Sequence, residues 1–144
     1  MNDVPPQVDG RAPVVFFVDD EPGIRGSFAT LMRRRGFTVL EAGSAEEAGR
    51  LIEIYKDPID ILLMDINLPD GWGATLAQAL LEEHPEMTVI YTTGYADQDP
   101  ILSGALNDAP FVLRKPFSSE ELLELIRRAM GTAEGEQGAS SAGA

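Results

Sequence analysis

The stretch VVFFVDDEPG, Val14–Gly23, joins a five-residue apolar run to three consecutive carboxylates. Such a run is typical of a strand that is covered on both faces, and a proline just after it is typical of a helix start. Acidic residues at such a junction are often ordinary helix N-terminal charges. The function of Asp19, Asp20 and Glu21 therefore depends on what the rest of the chain brings to the same place.

Four more apolar runs follow, and segments of helical period separate them. The predicted strands lie at 13–18, 37–41, 59–65, 88–93 and 111–114, and the predicted helices at 22–35, 44–55, 72–83, 98–106 and from 118 onward. Ser44 and Ser118 each precede a Glu by three residues, which indicates a capping box at two helix starts. Five βα units predict an α/β fold, a doubly wound five-stranded parallel sheet of the flavodoxin-like (βα)5 type.

Length and composition favour one domain with two polar ends. The chain has 144 residues, enough for one domain with a sizeable core. We expect a flexible leader at 1–12, a folded domain at 13–130 and a disordered Gly/Ala/Ser-rich tail at 131–144.

The charge and the missing residue types exclude several functions. A formal charge of −13 opposes direct binding of nucleic acid or an anionic membrane. No apolar run approaches the ~20 residues of a membrane span, no signal peptide is recognisable and there is no cysteine, so we expect a cytoplasmic location. The lone His84 excludes a multi-histidine metal site, and we expect it to be exposed near a helix end.

Chemically active side chains follow the predicted strands at their carboxyl ends, where doubly wound sheets have their functional crevice. They are Asp19 and Asp20 after the first strand, Asp65 after the third, Thr92 and Thr93 on the fourth and Lys115 after the fifth. Several carboxylates in one pocket raise each other's pKa unless a cation neutralises them, and an all-oxygen site suits a hard divalent ion. A carboxylate, an ammonium, a hydroxyl and such an ion together predict a site that handles phosphoryl groups.

Four motifs resemble the receiver domain of bacterial two-component response regulators of the chemotaxis-regulator type. They are VDDEPG (18–23), LLMDINLPDGWG (62–73), TTGYAD (92–97) and LRKPFSSEEL (113–122). The resemblance covers about residues 13 to 130. It implies an Mg²⁺-dependent phosphoacceptor that takes phosphate from a histidine kinase or a histidine phosphotransfer protein and switches a protein-interaction surface. It implies no enzyme activity beyond self-phosphorylation and self-dephosphorylation.

The resemblance also assigns roles to single residues. Asp65 is similar to the phosphoacceptor, and Asp19 and Asp20 to the acidic pair that binds Mg²⁺ (or Mn²⁺) together with Asp65 and the backbone carbonyl of Asn67. Lys115 corresponds to the lysine that pairs with the phosphate.

Three further implications concern the switch and the output surface. Thr93, with Thr92 as the rival, corresponds to the hydroxyl that turns toward the phosphoryl group, and Pro116 to a proline after a cis bond. The implied partners are a phosphodonor and a downstream protein, with neither nucleic acid nor membrane. A homodimer through the predicted fourth helix, fifth strand and fifth helix is also implied.

The chain departs from the family pattern at two positions. Val112 stands where many receivers have an aromatic residue three positions before the lysine, so either Phe111 takes that role through a one-residue shift of the strand or aromatic switching is absent. Tyr95, two residues after Thr93, predicts slow loss of phosphate.

Two other functions compete with this interpretation. A docking module that is never phosphorylated would not accept phosphate. A Mg²⁺-dependent phosphohydrolase usually has its nucleophile on the first strand, with a second Asp two residues later and a lid, and this chain shows neither arrangement.

Overall fold

The computed structural model describes residues 7–8, 10–94 and 111–142, with residues 132–142 described as backbone only. In chain order the elements are β1 (Val14–Val18), α1 (Pro22–Arg34), β2 (Thr38–Ala42), α2 (Ala45–Ile54), β3 (Ile61–Asp65), β4 (Asn67–Leu68), β5 (Gly71–Trp72), α3 (Gly73–Glu83), β6 (Thr88–Thr93), β7 (Val112–Arg114) and α4 (Ser119–Ala142). Each predicted strand corresponds to one of these strands, and α4 is the predicted fifth helix. The helix predicted at 98–106 lies outside the described residues.

Five of the strands form one parallel sheet in the order β2-β1-β3-β6-β7. This order confirms the predicted doubly wound α/β fold. The direction of winding reverses between β1 and β3, which are neighbours in the sheet. A ligand crevice is therefore expected outside the carboxyl ends of these two strands. The remaining strands, β4 and β5, form a short antiparallel hairpin just after β3.

The sheet separates two apolar layers, and this explains why its strands are apolar throughout. Val15 and Phe17 of β1 pack on the side of α1 and α4, whereas Val14, Phe16 and Val18 pack on the side of α2 and α3. All five side chains are at most 4 % exposed. A strand that is buried on both faces needs a continuous apolar run, because successive side chains point to opposite faces.

Side-chain caps begin two of the helices. At α4 the capping box is complete, since Ser118 Oγ accepts a hydrogen bond from Glu121 N and Glu121 Oε1 accepts one from Ser118 N. At α2, Ser44 Oγ accepts from Glu47 N, but the Glu47 carboxylate accepts from Gly43 N and not from Ser44 N. The two serines were correctly predicted as caps, and only the second box is reciprocal.

The polar ends of the chain contain ordered contacts within the described residues. The Arg11 guanidinium makes an ion pair of 2.9 Å with Asp60, whose carboxylate also accepts a hydrogen bond from Val14 N. At the other end, the backbone of α4 continues as helix to Ala142. The domain limits at 13 and 130 stay a prediction. Within the described ranges, no helix combines the length and the apolar character of a membrane span.

The expectation that His84 is exposed was wrong. Its side chain lies just after α3 and is 7 % exposed as a residue. Nδ1 lies 2.8 Å from Glu86 Oε2, and Nε2 lies 2.9 Å from the carbonyl oxygen of Tyr55. Because a carbonyl oxygen only accepts hydrogen bonds, Nε2 is a donor. The histidine thus joins the ends of α2 and α3, which helical period alone does not reveal.

Candidate functional site

Three carboxylates meet at the carboxyl ends of β1 and β3. The two strands pair in register up to Val18 and Met64, and Asp19 and Asp65 follow these residues directly. One carboxylate oxygen from each of Asp19, Asp20 and Asp65 lies within 4.8 Å of the others. Asp19 and Asp65 are buried, whereas Asp20 is exposed. A cluster of oxygen ligands that is open to solvent on one side suits a hard divalent cation that keeps part of its water shell.

Backbone amides orient the two buried carboxylates. Asp19 Oδ1 accepts a hydrogen bond of 2.8 Å from Glu21 N, and Asp65 Oδ1 accepts one of 3.0 Å from Asn67 N. Asp19 Oδ2 is buried, and its polar contact within the described residues is the ion pair of 3.0 Å with the Lys115 ammonium. Three carboxylates so close together carry more negative charge than one ammonium can balance, so the residues present fit a divalent metal ion.

Lys115 is the cation that faces the triad. Its ammonium lies 3.0 Å from Asp19 Oδ2, 3.1 Å from Asp65 Oδ2 and 3.2 Å from Glu21 Oε1. Its backbone N–H donates to the carbonyl oxygen of Thr93, which fixes the start of the loop after β7. The Lys115–Pro116 peptide is cis, as predicted. Lys115 therefore supplies positive charge directly to the two buried carboxylates.

The site shifts the pKa of both Asp65 and Lys115 upward. Burial raises the pKa of Asp65 and the nearby Asp19 carboxylate adds to this, although the hydrogen bond from Asn67 N and the contact with Lys115 oppose it. Burial by itself would lower the pKa of Lys115, but its contacts with Asp19 and Asp65 outweigh burial and raise it. Lys115 thus remains an ammonium at neutral pH, and burial together with the Asp19 charge makes added positive charge beside Asp65 favourable.

Two buried hydroxyls end β6. The register places Thr92 opposite Asp65, and Thr92 Oγ1 has no hydrogen-bond partner among the described residues. Thr93 is also buried, at 2 % exposure, and its carbonyl oxygen accepts the hydrogen bond from Lys115 N. Thr92 therefore lies beside Asp65 in the sheet and Thr93 is the next residue of β6, and the choice between them stays a prediction.

Gly73, which the sequence reasoning missed, is needed where the chain returns from the β4–β5 hairpin. Gly73 N donates a hydrogen bond of 2.8 Å to the carbonyl oxygen of Ile66. A Cβ at this position would lie 2.3 Å from the Asp65 carbonyl oxygen and 2.7 Å from Ile66 Cα. Only glycine permits this approach. The motif PDGWG contains two glycines in three residues, which was the available signal for a close backbone contact.

The open cleft beside the triad has a volume of about 740 Å³. Polar and apolar side chains line it, namely Asp20, Glu21, Ile24, Phe28, Asp65, Asn67, Gly94, Lys115, Pro116 and Phe117. The rings of Phe28 and Phe117 pack with their centroids 4.8 Å apart and form an apolar wall. Trp72 is half-buried and packs against Ile66 on the hairpin. The cleft thus leaves Asp65 beside a space that is wide enough for a phosphoryl group.

The structure describes one of the two positions at which the chain departs from the receiver pattern, namely Val112 with its neighbour Phe111. Phe111 is buried at 5 % exposure in the core on the side of α1 and α4, together with Leu113. Val112 is partly exposed and pairs with Tyr91 of β6. The Phe111 side chain therefore lies on the opposite face of the sheet from the Val112 side chain. Tyr95 lies outside the described residues.

Comparison with known proteins identifies the family. The model for the response regulator receiver domain matches residues 15–127. The chain belongs to this family. Receiver domains are signalling modules of two-component systems, in which they act with histidine kinases.

Curated relatives of this receiver are longer proteins. The chain is 34 % identical over 114 residues to the sensor kinase CckA of Brucella abortus, a match that covers 78 % of the chain and 12 % of that protein. It is 30 % identical to the transcriptional regulatory protein CpxR of Escherichia coli K12, covering 78 % of the chain and 47 % of CpxR. The chain thus spans less than half the length of these relatives.

Solved structures share the fold over nearly their full length. A CheY-like receiver domain protein from Methanospirillum hungatei is 29 % identical, with a TM-score of 0.77, and the match covers 87 % of this receiver and 98 % of that chain. A receiver domain protein from Clostridium thermocellum is 27 % identical, with a TM-score of 0.72 and coverage of 85 % and 97 %.

Proposed function

We propose that this receiver is a phosphoacceptor and that Asp65 takes a phosphoryl group from the phosphohistidine of a histidine kinase or a phosphotransfer protein. The observation that carries the proposal is the contact of 3.1 Å between Lys115 Nζ and Asp65 Oδ2, next to the carboxylate triad. In the transfer, an O–P bond forms at Asp65 while the P–N bond of the donor breaks and its imidazole leaves. Lys115 then pairs with the phosphoryl oxygens.

In this proposal Asp19, Asp20, Asp65 and the backbone carbonyl of Asn67 hold Mg²⁺ or Mn²⁺. The bound ion supplies positive charge that reduces the repulsion between Asp65 and the incoming phosphoryl oxygens. The close approach of the three carboxylate oxygens, all within 4.8 Å of one another, supports this assignment. Asp20, which is exposed, is the member of the triad that a hydrated ion meets first.

Phosphorylation then biases a two-state surface in the domain that we propose at 13–130. Thr93 is our first choice for the hydroxyl that hydrogen-bonds the phosphoryl group, because the receiver pattern has this hydroxyl directly before a small residue, here Gly94. That bond exists only in the phosphorylated state, so it can bias the surface. The output is contact with a downstream protein, or a homodimer through β7, α4 and the region of the predicted fourth helix. Direct binding of nucleic acid is not part of the proposal, since the chain carries a net charge of −13.

Intact-mass spectrometry after incubation with Mg²⁺ and acetyl phosphate tests the chemistry. We expect one added phosphate on the wild type and none on Asp65→Asn or in an EDTA control. If the wild type acquires no adduct from acetyl phosphate or from a phosphorylated histidine phosphotransfer protein, the proposal fails and a docking module remains. Turnover of a small phosphoester would instead favour the phosphohydrolase.

A further inference from the structure

Asp70 joins the turn of the β4–β5 hairpin to the N-terminus of α2. Asp70 Oδ1 accepts a hydrogen bond of 2.8 Å from Ala45 N, and Asp70 Oδ2 accepts one of 3.1 Å from Glu46 N. These amides belong to the first turn of α2, where no intrahelical acceptor is available. The two hydrogen bonds, first that from Ala45 and then that from Glu46, lower the pKa of Asp70. The carboxylate is thus ionised and bidentate at neutral pH.

A second contact holds the same turn against the same helix. A Cβ added to Gly71 would lie 3.1 Å from the Cβ of Ala45, so the hairpin backbone packs closely on the first residue of α2. Leu68, on the other strand of the hairpin, is 8 % exposed and packs in the core on the side of α2 and α3. The turn of the hairpin therefore packs directly on the first turn of α2.

The base of the hairpin contacts the phosphoacceptor. Asn67, the first residue of β4, donates its backbone N–H to Asp65 Oδ1 at 3.0 Å and pairs with Trp72 across the hairpin. Gly73 N closes the base through its hydrogen bond to the Ile66 carbonyl oxygen. The hairpin is only two residue pairs long, so we expect a change at its turn to be transmitted to Asn67 at its base.

We propose that Asp70 is a positioning residue for the Asp65 site: by fastening the hairpin to α2, it holds the Asn67 amide on Asp65 and the Asn67 carbonyl where a metal ion binds. The part that concerns the metal rests on the proposed function. Loss of partners outside the ligand sphere commonly weakens metal affinity about 10- to 100-fold. Asp70 acts through a backbone segment, so we expect a smaller effect of about 3- to 10-fold.

The test compares Asp70→Ala with Ser44→Ala, which removes another acceptor from the N-terminus of α2 without touching the hairpin. Thermal unfolding across a Mg²⁺ titration yields the affinity of each protein for the ion. We expect both variants to lose stability, but only Asp70→Ala to need about 3- to 10-fold more Mg²⁺ for half of its stabilisation. Asp70→Asn, which keeps one acceptor oxygen, should recover part of the affinity.

A readout without metal separates this inference from the proposed function. Amide hydrogen exchange of Asn67 in EDTA should speed up in Asp70→Ala and stay at the wild-type rate in Ser44→Ala. Equal exchange and equal Mg²⁺ affinity in Asp70→Ala and wild type would overturn the positioning role. A wild type that Mg²⁺ does not stabilise would overturn the metal site, and the exchange experiment would then decide whether Asp70 still positions Asn67.

Discussion

Replacing Gly73 with alanine should damage both stability and phosphorylation, because the new Cβ has no space. It would lie 2.3 Å from the Asp65 carbonyl oxygen, and ordinary contact begins at about 3.4 Å, so the two atoms must separate by about 1.1 Å. The atoms that the Cβ meets within 3.0 Å all belong to the backbone of Asp65 and Ile66. No side chain can rotate away, and the backbone of Asp65 and Ile66 must therefore move.

The expected cost follows from two contributions. Overpacking a tight site costs about 1–3 kcal/mol, and we expect the upper part of that range because backbone must shift. The shift also strains the hydrogen bond between Gly73 N and the Ile66 carbonyl oxygen, worth about 1 kcal/mol. A total of about 3 kcal/mol in a domain of this size lowers Tm by about 10–15 °C.

Gly49→Ala is the matched control. Gly49 lies in the interior of α2, and a Cβ there meets no atom within 4 Å. This variant should gain about 0.5–1 kcal/mol from helix propensity. Calorimetry and urea unfolding measure both variants side by side.

Phosphorylation by acetyl phosphate provides the second assay for Gly73→Ala. A displacement of about 1 Å at a reacting group can reduce the rate about 100-fold, so we expect a loss of about 10- to 100-fold at saturating Mg²⁺. Gly49→Ala should react at the wild-type rate. If Gly73→Ala unfolds within about 1 °C of the wild type and is phosphorylated normally, the reasoning from this close approach is refuted.

Three further expectations concern charges and hydroxyls. The raised pKa of Asp65 means that its ionised form opposes folding at neutral pH, so Asp65→Asn should raise Tm in EDTA; a lower Tm would contradict this. The second expectation concerns Glu86. Burial opposes ionisation of its carboxylate, but the hydrogen bonds from Ile59 N and His84 outweigh burial and lower the pKa of Glu86 below the usual 4.5. Glu86 therefore stabilises the fold above that pH and loses this effect as pH falls through its lowered pKa. The Glu86 side chain is 39 % exposed, so solvent screens its interactions and Glu86→Gln should cost at most about 1 kcal/mol at neutral pH. In urea titrations this cost should shrink as the pH falls through the lowered pKa of Glu86, and a cost that stays constant over that range would argue against it. Thr93→Ala should accept phosphate yet lose the phosphorylation-dependent NMR shifts that Thr92→Ala retains; the opposite result would assign the switch to Thr92.

Much of the site was predictable because its members follow strands. Asp19, Asp65 and Lys115 each come at the end of an apolar run, and the carboxyl ends of parallel strands meet at one edge of a sheet. Their convergence therefore needs only the strand order, which the βα alternation restricts strongly. The contacts of Lys115 with both carboxylates are consistent with that reasoning.

Other residues were missed because their partners are far away in the sequence. Asp70 is 25 residues from Ala45, and as sequence it is an ordinary turn acid after a proline. His84 is 29 residues from Tyr55, and its place at the end of a helix suggested exposure. Whether a polar side chain finds a buried partner depends on how two helices end beside each other, and hydrophobic period contains no information about that.

Sequence pattern alone was enough to predict the five parallel strands, four of the five helices, the two-sided burial of the strands and the candidate carboxylates, because side-chain period and strand ends are local properties of the chain. Three features follow from the tertiary structure alone, namely that the hairpin after Asp65 packs on α2, that Gly73 must have no side chain and that Asp19 is buried whereas Asp20 is exposed. These features depend on distances of a few ångströms between separate elements. Close packing and the need to satisfy buried polar groups set such distances, and both act only once the chain has folded.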